Sequence, residues 1–217
     1  MTDYAARRKL MVDTQVRPSD VTKFPIIEAM LSVPREAYVP EAQREAAYMG
    51  ENLDIGGSRV LLEPRSLGKL LDALDIQPTD MVLDLGCGLG YSSAVIACLA
   101  EAVVAVESDE AMAKDAQSRL SGTGVDNVAV LHRDLTMGAA KHGPYDTIVL
   151  QGAVEAVPDA ILAQLKVGGR IGCIFMEGAL GVARIGHKSA SGVTWRYAFN
   201  ASAPVLTGFE KTAEFAL

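Results

Sequence analysis

The sequence predicts an α/β fold, a mainly parallel sheet with helices on both faces. Two observations carry this expectation. Short apolar runs alternate along the chain with segments whose apolar residues recur at helical spacing, and the strongest run ends in a glycine turn that opens a helix. That junction, residues 81–91, reads M-V-L-D-L-G-C-G-L-G-Y. Val82, Leu83 and Leu85 suit a buried central strand, while Gly86, Gly88 and Gly90 let the backbone turn sharply and approach a ligand without Cβ interference.

The elements follow in order. Residues 4–16 and 24–33 read as helices, the second with Ile26, Ile27, Met30 and Leu31 on one face, before Pro34 and Pro40 break the pattern. Residues 67–74 set Leu67, Leu70, Leu71 and Leu74 at helical spacing, suited to packing on the sheet ahead of its first strand. After the glycine turn a helix is expected over 91–99, with Val95, Ile96, Cys98 and Leu99 available for burial. Strands are expected at 102–106, 128–131, 146–150 and 170–175, and helices at 109–120 and 159–165, with Gly168 and Gly169 turning the chain into the strand from Arg170. Residues 192–199 alternate Val193, Trp195, Tyr197 and Phe199 with Thr194, Arg196 and Ala198, the pattern of a half-buried strand that makes Trp195 a core residue. Residues 214–217 would add an antiparallel edge.

Composition narrows the function classes. With 217 residues, 49% of them hydrophobic, and no Pro/Gly/Ser-rich linker, the chain is expected to form one domain. It has no run of eighteen apolar residues and a charged start, which argues against membrane insertion and secretion and for a cytoplasmic protein. Cys87, Cys98 and Cys173 are odd in number and lie in apolar segments, as reduced core or near-core thiols do. There is no C-x-x-C, and His132, His142 and His187 are scattered, so no metal site is expected. A net charge of −7 and 6% aromatic residues argue against a nucleic-acid partner, and Arg7, Arg8 and Lys9 read as a solvated helix face.

The spacing of the glycines bears on the ligand. A dinucleotide fingerprint needs G-x-G-x-x-G, but Tyr91 follows Gly90 where its third glycine would fall, which disfavours a nicotinamide-dependent oxidoreductase. The chain offers D-x-G-x-G-x-G instead. Asp84 could accept from an ammonium group or anchor the glycine loop. This pattern resembles motif I of the class I methyltransferases, whose cofactor is S-adenosyl-L-methionine. Glu107 ends the next strand, 23 residues beyond Asp84, near the offset at which an acid takes the ribose hydroxyls; it also suits the start of the following helix. Asp134, after a third strand, stands where class I methyltransferases often place an acid that accepts from the adenine amino group. The expected cofactor contacts are therefore Asp84, Gly86, Cys87, Gly88, Glu107, Asp134 and Leu135.

Further motifs resemble one family, the protein L-isoaspartyl (D-aspartyl) O-methyltransferases. Val33-Pro34-Arg35-Glu36 with Tyr38-Val39-Pro40 is similar to its V-P-R-x-x-F/Y-V-P segment, and Ala47-Tyr48 to its A-Y. Ile55-Gly56 and Pro64 follow at the family's spacing. Tyr145-Asp146-Thr147-Ile148 resembles F-D-x-I, and Gln164-Leu165-Lys166 with Gly168-Gly169 resembles Q-L-K-x-G-G. The likeness runs from about Arg8 to Phe175 and weakens over the tail. It implies a class I, Rossmann-like methyltransferase fold with a seven-stranded sheet and a rearranged C-terminal strand order. It also implies a monomer that methylates damaged aspartyl residues in proteins. On this reading residues 1–64 hold a helical N-terminal region and substrate loop, 65–175 the cofactor core, and 176–217 C-terminal antiparallel strands.

One loop departs from the pattern. The family's Q-T-I-S-x-P, which faces the methyl donor, is here Arg59-Val60-Leu61-Leu62-Glu63-Pro64, so Leu62 stands at the serine usually considered catalytic and Val60 at the threonine. Met49-Gly50-Glu51-Asn52 replaces E-D-R-P, and Arg133-Asp134-Leu135 replaces G-D-G. No catalytic residue is assigned. Arg59 could pair with a substrate carboxylate or be solvated. The departures imply slower isoaspartyl repair, another acceptor, or a non-catalytic binding protein on a methyltransferase fold.

Overall fold

The computed structural model describes residues 3–211; the expected strand at 214–217 lies outside them. Helix α1 (Tyr4–Met11) is capped by the Asp3 side chain, which accepts from Ala6 N, and runs into a wider helical turn, Val12–Val16. Helix α2 spans Phe24–Ser32. A two-stranded hairpin follows, β1 (Leu53–Gly56) and β2 (Arg59–Leu61), and then α3 (Pro64–Leu74). The remaining elements are β3 (Met81–Leu85), α4 (Tyr91–Ala97), β4 (Ala102–Glu107), α5 (Glu110–Gly122), β5 (Val128–His132), β6 (Tyr145–Val154), α6 (Asp159–Leu162), β7 (Leu165–Glu177), β8 (Leu180–Ser189) and β9 (Gly192–Asn200).

The main sheet has the order β5-β4-β3-β6-β7-β8-β9. Its first five strands are parallel, and β7, β8 and β9 pair antiparallel in chain order. The order reverses at β3, which lies between β4 and β6, and open α/β sheets bind ligands in the crevice at such a switch point. Alternate residues of β3 face opposite sides, Val82 in one apolar cluster and Leu83 and Leu85 in the other. The first cluster takes α3 through Leu67, Leu70, Leu71 and Leu74, each 1% exposed or less. Burying a leucine contributes about 1.5–3 kcal/mol, so this face of α3 fixes the helix to the sheet. The opposite cluster holds Leu135 and Ala139 from the segment between β5 and β6, Ile161 of α6, and Leu206 and Phe209, so the second face is covered by short helical turns and the chain after β9.

Three local expectations are corrected. The helix expected over 159–165 stops at Leu162, and β7 starts at Leu165 because Tyr145 N donates to Gln164 O and draws this segment into the sheet. Strand β8 was not anticipated. Its Gly181 and Gly186 mark close contacts: a Cβ would lie 1.9 Å from Ala201 O at the first and 2.7 Å from Val193 Cγ1 at the second. In β9 a register shift beside Ala183 breaks the alternation, so Val193 and Trp195 pack on one face of the sheet and Phe199 on the other, leaving Tyr197 65% exposed. Trp195 meets Phe175 edge to face at 4.9 Å. Cys87 and Cys173 are buried free thiols, whereas Cys98 is exposed.

Candidate functional site

The crevice forms where β3, β4 and β5 end side by side. Gly86 N and Cys87 N both donate to Val106 O, at 2.8 and 3.3 Å, which ties the glycine turn to the tip of β4. Gly86, Gly88 and Gly90 have φ of 76°, 55° and 95°, a region where a Cβ is strained.

Asp84 sits inside this turn and is fully buried. One carboxylate oxygen accepts from Ser92 Oγ (2.7 Å) and Ser93 Oγ (2.6 Å), the other from Gln151 Nε2 (2.7 Å). Burial pushes its pKa up, and the serine and glutamine bonds work against that shift. Of the two roles open to Asp84, this geometry supports the anchor: it binds the glycine turn to the first turn of α4 and to β6 and does not face the crevice. The Cys87 thiol is also buried, and burial above all, with the neighbouring acids Asp84 and Glu107, pushes its pKa well above the usual thiol range.

Glu107 ends β4 and is 0% exposed. Arg59 Nε reaches both carboxylate oxygens, at 3.1 and 3.3 Å, and Arg59 Nη2 reaches Oε1 at 3.1 Å. Gly88 N donates to Oε2 (3.0 Å), while Ser108 N (2.7 Å) and Asp109 N (3.2 Å) donate to Oε1. A carboxylate has about four lone-pair directions, and these donors fill them. Arg59 is only 4% exposed, which corrects both readings given to it from sequence. It neither points at solvent nor waits for a substrate carboxylate.

Asp134 differs. It is exposed, and its Oδ1 accepts from Thr136 N (2.8 Å) and Thr136 Oγ1 (2.7 Å); Oδ2 takes no hydrogen bond among the described residues. It lines a cavity of about 550 Å³ with Ser108, Leu135, Thr136, Pro158 and Thr207. Leu135 is buried, and Leu206 packs beside it against the glycine turn, its Cδ2 3.4 Å from where a Cβ on Gly86 would lie. Sequence reasoning gave no signal for Leu206, whose segment has no periodicity.

The opposite wall is the β1–β2 hairpin. Ile55 covers Gly88 so closely that a Cβ there would lie 2.5 Å from Ile55 Cδ1. Beyond β2, Leu62 is 2% exposed and belongs to the apolar cluster that also holds Ile55, Cys87 and Leu89. Its carbonyl accepts from Arg35 Nη2 at 2.8 Å, and Arg35 Nε donates to Ala47 O at 2.6 Å. The Arg35 guanidinium stacks 4.8 Å from the Tyr91 ring. The V-P-R segment thus ties the loop at Leu62 to the helix leaving the glycine turn.

Comparison with known proteins accords with this architecture. A family profile described as protein-L-isoaspartate(D-aspartate) O-methyltransferase matches residues 6–179. The chain belongs to this family. Protein-L-isoaspartate O-methyltransferase 2 of Pelobacter propionicus is 38% identical over 165 residues, 76% of this chain and 73% of that one. Protein-L-isoaspartate O-methyltransferase of Syntrophus aciditrophicus is 35% identical over 171 residues, 79% and 78% of the two chains. Among solved structures, a protein-L-isoaspartate O-methyltransferase superimposes with a TM-score of 0.81 at 22% identity, over 93% of this chain and 66% of that one. A Plasmodium falciparum structure, described as a beta-aspartate methyltransferase in complex with S-adenosyl-L-homocysteine, gives 0.79 at 16% identity, over 95% and 99%. The family match stops at residue 179, in line with the weaker likeness of the tail.

Members of this isoaspartyl methyltransferase family are S-adenosylmethionine-dependent enzymes, and the crevice of this chain can be tested against that cofactor. The base end fits: Asp134 holds out a free acceptor oxygen in a cavity walled by Leu135 and Pro158. The ribose end does not fit in this conformation, because the oxygens of Glu107 are already taken by Arg59 and by backbone N–H groups. Among the described residues no cluster of His, Cys, Asp and Glu could hold a metal ion, and no helix is long and apolar enough to cross a membrane.

Proposed function

We propose that this chain binds S-adenosylmethionine at the tips of β3, β4 and β5 and methylates a carboxylate of isoaspartyl residues in proteins. The observation that carries the reading is the adjacency in the sheet of three strands, β5-β4-β3, with Asp134, Glu107 and the Asp84-anchored glycine turn at their carboxyl ends. Asp134, Leu135 and Gly86 line the base side and Gly88 and Glu107 the ribose side, with Cys87 contributing backbone.

When bound, the cofactor supplies an electrophilic methyl group. An aspartyl carboxylate is ionised at neutral pH and is itself the nucleophile, so the chain need hold no general base. Its task is alignment, which can be worth roughly 7–11 kcal/mol in favourable cases. The Arg35 bond to Leu62 O fixes the loop that would face the acceptor, and Leu62 and Ile55 make that wall apolar and dry. A hydroxyl bonded to a charged carboxylate contributes about 1.5–3 kcal/mol, and Leu62 forgoes it.

The absence of hydroxyls at Val60 and Leu62 favours a second reading, transfer to a different acceptor. Incubation with methyl-labelled cofactor and an isoaspartyl peptide, beside its ordinary aspartyl isomer, separates the two. Base-labile label on the isoaspartyl peptide alone supports repair. Label on neither peptide, with methyl transfer to another carboxylate or hydroxyl compound, supports the second reading.

A further inference from the structure

The pair formed by Arg59 and Glu107 joins two parts of the fold that share no strand hydrogen bonds. Arg59 lies on the β1–β2 hairpin, a separate two-stranded sheet, and Glu107 on the central strand β4. We infer that Arg59 competes with the cofactor's ribose for Glu107, so that the hairpin must release its ion pair before S-adenosylmethionine can seat. The inference rests on the cofactor reading above.

Stoichiometry of lone pairs carries the argument. A ribose diol brings two O–H donors, and binding it to Glu107 requires two acceptor directions. Gly88, Ser108 and Asp109 donate from backbone positions that form the site itself. Arg59 is the donor that belongs to another element, and it occupies both oxygens. Its Nη2 also donates to Ser108 Oγ at 2.7 Å, and Ser108 lines the cavity that holds Asp134, so the guanidinium bonds a residue of the base end as well as the acid of the ribose end.

The hairpin would have to move as a unit. Its strands pair Leu53 with Leu61, Asp54 with Val60 and Gly56 with Arg59, and its tip passes through Gly56, Gly57 and Ser58 at φ of 91°, 57° and 59°. Ile55 rides on the same hairpin and covers Gly88, so one displacement frees both the acid and the glycine turn. When only a fraction of molecules has the hairpin withdrawn, the apparent dissociation constant rises by the reciprocal of that fraction. Arg59 thereby sets cofactor affinity without touching the reacting atoms. The family loop described above carries glutamine at this position, a shorter and uncharged donor.

Calorimetry with S-adenosylhomocysteine on the whole chain and on Arg59→Gln tests this, with hydrogen exchange on the wild type as the second readout. The variant is expected to bind at least about tenfold more tightly, and saturating ligand is expected to speed exchange over residues 53–61 while slowing it over 84–90 and 134–136. Equal or weaker binding by a folded Arg59→Gln, beside a wild type that binds, overturns the inference and leaves the cofactor reading standing. If neither protein binds, both fall. Should the variant fail to fold, wild-type exchange decides, and ligand that slows residues 53–61 or leaves them unchanged contradicts the inference.

Discussion

On the sheet side of the crevice the polar groups are fixed within the main sheet and the helix that follows β3, Asp84 by Ser92, Ser93 and Gln151 and the glycine turn by the tip of β4; on the hairpin side, Arg59 and Ile55 reach their partners from a separate sheet. The first wall keeps the acids and the glycine turn of the isoaspartyl methyltransferases, though not the glycines beside Asp134, and the second has lost their hydroxyls. The difference teaches that a ligand site can keep its acids and still change its accessibility, because the wall that meets them is supplied by another part of the chain.

The largest expected effect strikes the contact between the walls. Arg59→Ala leaves Glu107 buried without its cation, and breaking such a pair costs about 3–5 kcal/mol. Urea denaturation measures this, and a loss below about 1 kcal/mol would mean that the backbone donors alone hold Glu107. Next, Leu62→Ser removes a buried leucine and is expected to lose about 2–5 kcal/mol of stability. Combined with Val60→Thr it is nonetheless expected to raise methyl transfer to an isoaspartyl peptide about tenfold or more, the equivalent of one hydrogen bond to a charged group. No gain in a folded double variant would show that the hairpin wall does not limit turnover.

Smaller effects sharpen the comparison on the sheet side. Asp134→Ala removes one exposed acceptor and is expected to weaken S-adenosylhomocysteine binding by about 0.5–1.5 kcal/mol, read by calorimetry. Unchanged affinity would remove Asp134 from the base end. Asp84 gives a pH signature. Because burial raises its folded pKa, the native state keeps a proton that the unfolded chain has lost, so stability falls as pH rises from the ordinary carboxylate range toward the raised value. Asp84→Asn lacks this slope, and its melting temperature relative to wild type is expected to climb as pH rises above about 4. A flat difference would show that Ser92, Ser93 and Gln151 fully offset the burial.

Much of the sheet wall was legible in the sequence because local rules govern it. The apolar runs ending at Leu85, Glu107 and His132 need only burial on both faces to become parallel strands, and the glycines at φ above 50° need no tertiary partner to be recognised as a turn. The role of Asp84 stayed open until its three partners were located, one of them 67 residues away. Arg59 lies 48 residues from Glu107, and no periodicity links a three-residue strand to the end of β4. Strand β8 was hidden by glycines that serve close packing, and the face taken by Phe199 depends on a bulge that alternation cannot report.

The most direct measurement is a crystal structure of the chain grown with S-adenosylhomocysteine. The account predicts ribose hydroxyls on Glu107, the base beside Asp134, and the Arg59 guanidinium withdrawn together with Ile55. Ligand bound in the crevice with Arg59 still on Glu107, or ligand held elsewhere on the molecule, would contradict it.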